Sequence, residues 1–187
     1  MKKMNGKMSN KSKNKGKSWE RDVCNFLSEL YDDSFIRVPN SGAFVGGKNE
    51  FRKEYLSDEQ IKLSRGDIIP PLHYPFFLAE CKNYAEFPFH SLFSKSTIPL
   101  LDTWIDQVEH DVTSPNDLWL LFIKITRKGS YILYPINTGN ITNKLTDLQY
   151  GVRYKKYWFC DMNYFFKCYK DELEMRWKRS APTSFIA

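Results

Sequence analysis

No window of this 187-residue sequence is long and apolar enough to cross a bilayer, so nothing in it reads as a membrane-spanning helix. A disulfide scaffold is excluded by the cysteines: Cys24, Cys81, Cys160 and Cys168 have no CxxC spacing and no framework of paired intervals. They read as reduced thiols of an intracellular protein, which makes the cytoplasm the expected location. His73, His90 and His110 lack the spacing of zinc ligands and read as surface or loop residues. There is no internal repeat. Acidic residues are missing from positions 1–18, "MKKMNGKMSNKSKNKGKS", which hold seven lysines. No apolar segment follows those lysines, so the pattern is not that of a secretory signal.

The net charge of +6 therefore resides at the N-terminal end, because the other 21 basic and 22 acidic side chains nearly cancel. A Lys/Asn/Ser/Gly composition buries nothing, and residues 1–14 are expected to form a disordered basic tail. Such a tail can hold a polyanion such as nucleic acid through phosphate contacts and counterion release, or it can simply keep the chain in solution. With 42% hydrophobic and 16% aromatic residues, the chain suits one domain with a real core. The expected division is a core over 15–137 and a C-terminal extension over 138–187 packed on it.

"KSWERDVCNFLSELY" has Trp19, Val23, Phe26, Leu27 and Leu30 at spacings of three and four, an amphipathic helix with Ser18 as its N-cap. "SFIRV" reads as a short strand stopped by Pro39, and "PNSGAFVGGKN" as a loop. Residues 50–64 are polar and suit a short helix or a flap. "GDIIP" and "PFFLAECKNY" read as strands joined by a proline-bearing turn. "LLDTWIDQVEHD" has helical spacing in Leu101, Trp104, Ile105 and Val108, and "DLWLLFIKIT", "RKGS" and "YILYPI" read as a hairpin. "YWFCDMNYFFKCY" is a strand leading into a helix or one buried helix, and "KDELEMRWKR" looks helical. Tyr157, Trp158, Phe159, Phe165 and Phe166 suit core or a subunit interface, with base stacking as the alternative. An α/β architecture follows, a mixed sheet flanked by helices in the order α-β-β-β-α-β-β.

One stretch conflicts with this hydrophobic logic. "PFFLAECKNY" places Glu80 and Lys82 in an otherwise apolar strand, although unpaired buried charges cost several kcal/mol. Residues two apart share a face, about 6–7 Å apart, so Phe76, Leu78, Glu80 and Lys82 lie on one side and Phe77, Ala79 and Cys81 on the other. Asp67 opens the preceding strand, where a short hairpin would bring its carboxylate beside Glu80. Two carboxylates that close repel unless a hard cation such as Mg²⁺ sits between them. A lysine alongside can hold a water or stabilise an anionic transition state, which suits hydrolysis of a phosphodiester.

"GD…ECK" resembles the PD-(D/E)XK nuclease signature, with Gly66 standing where that motif usually has proline. The order resembles most closely the archaeal-type and phage Holliday-junction resolvases of that superfamily. "KGKSWERDVCNFL" supplies a basic run and a first helix with Glu20, "FIRVPNSGA" a strand and serine loop, and "RGDII" with "FFLAECKNY" the acidic strands. The match runs from about Lys15 to Tyr84, extends towards Gln107, and leaves residues 46–64 as an insertion. The resemblance implies a restriction-endonuclease-like fold and a Mg²⁺-dependent DNA endonuclease, Mn²⁺ being the natural substitute. It implies that Asp67, Glu80 and the Cys81 backbone carbonyl bind the metal, that Lys82 orients or activates the attacking water, and that Glu20 completes the acidic cluster. Ser41 would lie near the scissile phosphate. Four-way or otherwise branched DNA is the implied substrate, a homodimer the implied assembly, and a phage or mobile element acting in a host cytoplasm the implied source.

Lys15, Lys17, Arg37, Asn40, Lys48, Arg52, Lys53, Arg65 and Gln107 flank these positions and are candidate DNA contacts. Each also reads as ordinary surface. Glu20 likewise suits a solvated helix residue, Ser41 an ordinary turn, and Glu80 with Lys82 a solvated pair at a strand end. The residues alone leave open a restriction-like or repair nuclease acting on other DNA, and a nucleic-acid-binding protein without catalysis.

Overall fold

The computed structural model describes residues 10–39, 65–94, 96–136 and 151–178, with the backbone alone for 10–13. The chain begins with α1 (Asn10–Tyr31), followed by β1 (Ile36–Arg37), β2 (Ile68–Ile69) and β3 (Phe77–Tyr84). A short α2 (Phe89–Phe93) leads to α3 (Pro99–His110), then to β4 (Leu118–Ile125), β5 (Gly129–Pro135), β6 (Gly151–Tyr154) and β7 (Tyr157–Asp161). The last described element is α4 (Met162–Lys178).

Five strands form one mixed sheet in the order β3-β4-β5-β7-β6. The β3–β4 pair is parallel, joined through α2 and α3, and the other pairs are antiparallel. Helices cover both faces, so β4, "LWLLFIKI", is apolar on both sides of the strand except at Lys124, rather than alternating. On one face, α1 and α4 bury Trp19, Val23, Leu27, Phe165, Leu173 and Trp177 against Phe77, Ala79 and Phe122. On the other, α3 buries the stripe Leu101, Trp104, Ile105 and Val108 against Leu78, Leu121 and Ile123. Pro99 at the first turn of α3 suits a position whose N–H has no helical partner. The turn after β4 uses Arg127 at φ +62° and Gly129 at φ +141° to reverse the chain.

Several boundaries depart from the sequence expectation. Helix α1 starts at Asn10, inside the segment expected to be disordered, so Ser18 lies within the helix instead of capping it. Strand β2 pairs with β1, antiparallel with Ile36 opposite Ile69, and not with β3 as a hairpin. Residues 151–178 pack on the rest of the chain: β7 hydrogen-bonds along β5, and α4 joins the same core as α1. "YWFCDMNYFFKCY" is a strand running directly into a helix. Tyr157, Phe159, Phe165 and Phe166 are buried and Trp158 packs on the core, so these rings are not available to bases. No helix among the described residues is long and apolar enough to cross a membrane.

Candidate functional site

Among the described residues, strand β3 pairs with β4 on one side only, and its other edge takes a different partner. The residues just before β2 take that place. The Asp67 N–H donates to the Ala79 carbonyl at 2.8 Å, and the Cys81 N–H donates to Asp67 Oδ2 at 2.8 Å. The approach requires Gly66, whose φ is +61° and whose added Cβ would stand 2.3 Å from the Ala79 oxygen. Proline, fixed near φ −65°, cannot take that conformation, which accounts for glycine at the position before the acid. The loop is tied down from the far side as well. Asp111 Oδ2, just past α3, accepts the Gly66 N–H at 3.2 Å. Arg65 Nη1 lies 2.6 Å from Asp117 Oδ2 and 2.6 Å from Thr113 Oγ1.

Glu80 and Lys82 project together towards α3, as strand alternation requires. Lys82 Nζ lies 2.6 Å from Glu80 Oε1, and the Gln107 side chain of α3 closes the group. Gln107 Oε1 accepts from Lys82 Nζ at 2.6 Å, and its Nε2 donates to the same Glu80 oxygen. Glu80 is 3% exposed. Burial, followed by the negative charge of Asp67, pushes its carboxyl up to about 8 from an ordinary 4.5, while the Lys82 ammonium pulls less strongly the other way.

Glu20 reaches the group from α1, on the opposite face of β3. Arg37 Nη1 binds Glu20 Oε2 at 3.0 Å and the Val38 carbonyl at 3.1 Å. Burial first and the Asp67 charge second raise the Glu20 carboxyl, with Arg37 and Lys17 opposing. Asp67 thus stands at the strand edge between two glutamates and raises both. Burial and then Glu20 push the Cys24 thiol up to about 11, and burial with Asp67 and Glu80 holds Cys81 well above its ordinary range, so neither is a nucleophile at neutral pH.

Of the residues singled out from sequence, Asp67, Glu80, Lys82, Gln107, Glu20 and Arg37 are brought to one end of β3. Lys15 and Lys17 are exposed on α1 nearby, and the Lys15 carbonyl accepts from Asn83 Nδ2 at 3.1 Å. Ser41, Asn40, Lys48, Arg52 and Lys53 lie outside the described residues. Arg65, a candidate DNA contact, has a side chain only 7% exposed that pairs with Asp117 and so anchors the Asp67 loop. Gln107 turns its amide into the Glu80–Lys82 pair rather than outward to DNA. Asp111 and Asp117, which hold the Gly66 and Arg65 ends of the loop, went unnoticed in the sequence, where they are two more acids after a helix.

The donor set fits a hard divalent cation. Asp67 and Glu80 are both buried, and the Asp67 charge raises the Glu80 carboxyl, a repulsion that a cation between them would relieve. By strand geometry the Cys81 carbonyl faces the same open edge as its N–H. Mg²⁺ suits such a set because it takes one or two carboxylates and completes its shell with water. Among the described residues no group of three Asp, Glu, His or Cys side chains is placed to hold a metal ion.

No curated protein and no solved structure matches the chain. A family described as "phage putative PDDEXK endonuclease" matches residues 11–182, which takes in the described elements from the second residue of α1 to the end of α4. The mixed sheet flanked by helices is consistent with the fold of such nucleases, and the chain belongs to the phage PDDEXK endonuclease family.

Proposed function

We propose that the chain is a divalent-metal-dependent endonuclease that hydrolyses phosphodiester bonds in branched DNA, four-way junctions foremost. The observation that carries this reading is the placement of Asp67. Its backbone and carboxylate are both fixed on the open edge of β3, where its charge bears on Glu80 and Glu20 together.

Asp67, Glu80 and the Cys81 carbonyl would hold the ion, Mg²⁺ or Mn²⁺ in its place. When bound, such an ion polarises a phosphoryl oxygen and acidifies water at neutral pH. Lys82 contributes a positive charge beside the reacting phosphate and can orient the attacking water. Gln107 keeps Lys82 on Glu80, so both arrive as a unit. Glu20, restrained by Arg37, adds negative charge behind Asp67. Ser41 is assigned a phosphate contact on the family order alone. Branched DNA is favoured by the order Glu20, Ser41, Asp67, Glu80, Lys82, which resembles that of junction resolvases, and paired cuts across a junction call for a homodimer.

The test is cleavage of a synthetic four-way junction, a flap, a plain duplex and a single strand, each with Mg²⁺ or a chelator. Nicking of the junction in Mg²⁺, lost in Asp67→Asn and Glu80→Gln, is the expected result. Equal cutting of all substrates would discard the branch preference and keep the nuclease. Binding without cutting under any divalent ion would reduce the chain to a DNA-binding protein.

A further inference from the structure

Tyr84 ends β3, and alternation places it on the face of Leu78, Glu80 and Lys82. It is 41% exposed, whereas Trp104 of α3, against which its ring lies, is 2% exposed. The two ring centroids are 4.7 Å apart with planes tilted by 48°. Trp104 stacks on Phe87 at 6.0 Å, and Phe87 on Phe159 at 5.5 Å. Tyr84 is thus the outermost ring of an aromatic column rooted in the core, held on one side and open to solvent on the other. Cationic groups share this end of the sheet. Lys82 lies two residues back, and exposed Arg127 and Lys128 follow β4 in the turn where Thr126 N–H and Oγ1 donate to the Tyr84 carbonyl.

We propose that Tyr84 is a stacking platform for an unpaired nucleobase flanking the phosphate that is cut. The proposal rests on the reading of Asp67, Glu80 and Lys82 as the cleavage site and adds to it a contact that selects the substrate. One strand repeat of about 6–7 Å separates Lys82 from Tyr84 on the same face, so DNA placed with a phosphate at Lys82 brings its neighbouring nucleotide to the ring. Arg127 and Lys128 in the adjoining turn supply positive charge for a backbone there, with Glu86 an exposed acid two residues beyond Tyr84. A base within continuous duplex has both faces covered by its neighbours. Only a base opened at a branch point, an end or a single strand presents a face to an aromatic side chain. Tyr84 therefore favours opened DNA over intact duplex at the cut.

The rival role, a lid over Trp104, is filled equally well by another large apolar side chain. Tyr84→Phe keeps the π face, and Tyr84→Leu keeps the lid and removes the face. Each full-length variant is assayed on a four-way junction and a plain duplex, with 2-aminopurine placed on either side of the mapped cut. The expected result is a wild-type-like Tyr84→Phe and a Tyr84→Leu whose KM on the junction rises roughly tenfold, with kcat little changed. Quenching of the flanking 2-aminopurine on binding should be lost in Tyr84→Leu alone. A Tyr84→Leu protein with unaltered KM and quenching overturns the proposal, as does wild type bound to the junction without quenching. Should Tyr84→Leu melt early, Tyr84→Met read at a temperature where circular dichroism shows it folded gives the same decision. If wild type cuts DNA and only the stacking readouts fail, the cleavage site stands and Tyr84 falls. If wild type cuts no DNA with any divalent ion, both fall.

Discussion

Replacing Glu80 with Gln is expected to stabilise the metal-free protein in alkaline buffer, with the gain vanishing in acid. The Glu80 carboxyl is raised from 4.5 to about 8, by burial and then by Asp67. Between those values the unfolded chain has released the proton and the folded chain still holds it. Folding then takes up a proton, and each unit of pH costs the folded state about 1.4 kcal/mol. Below pH 4.5 the group is protonated in both states and the cost is nil; above about 8 it is ionised in both and the cost is complete. Across the window the cost sums to roughly 4–5 kcal/mol, or on the order of 10 °C in Tm for a chain of this length. Melting wild type and Glu80→Gln from pH 4 to 9 in chelator measures it. Subtracting the two curves largely removes the other groups that titrate, Glu20 among them. Adding Mg²⁺ should recover wild type at high pH and do little for Glu80→Gln. Two curves that stay parallel across the whole range would refute the reasoning.

Four further outcomes are expected. Lys82→Ala should lower kcat by roughly 10²–10⁴ with a smaller effect on KM, measured by single-turnover and steady-state cleavage. Gly66→Ala, forced to a left-handed backbone against the Ala79 oxygen, should lose at least about 2 kcal/mol in urea denaturation; an unchanged midpoint would contradict the close approach. Arg65→Met, which removes the counter-charge of buried Asp117 while the Thr113 and Ser114 N–H groups still donate to it, should cost about 3 kcal/mol and leave the salt dependence of DNA binding unaltered, because the Arg65 guanidinium is held by Asp117. Removing residues 2–9, with Lys2, Lys3 and Lys7, should reduce the slope of log affinity against log salt by about 2–3, and an unaltered slope would exclude that segment as a DNA contact.

The parts legible in the sequence are those governed by local periodicity. The α3 stripe Leu101, Trp104, Ile105 and Val108 is buried as its spacing requires, and the alternation in β3 sends Glu80 and Lys82 to one face and Ala79 and Cys81 to the other. "RKGS" turns because it carries the residues a tight reversal needs. The parts that were not legible depend on partners far along the chain. Arg65 looks like a phosphate ligand until Asp117, 52 residues later, folds against it. Gln107 lies 27 residues from Glu80, and nothing local says that its amide turns inward. The pairing of β2 with β1 involves two residues on each strand, too few for any pattern to specify. Strand β6, "GVRY", is four residues at the sheet edge and was hidden for the same reason. The first turns of α1 were missed because a lysine-rich, solvated helix start has no apolar stripe to announce it.

The double attachment of Asp67 changes how its removal must be interpreted. Because its side chain accepts the Cys81 N–H, shortening it to alanine unlatches an amide on the border of the sheet as well as deleting a negative charge. A dead alanine variant would mix two injuries, one to chemistry and one to architecture. Asparagine retains an oxygen for the amide and loses only the charge, which makes it the substitution whose silence can be attributed to the reaction.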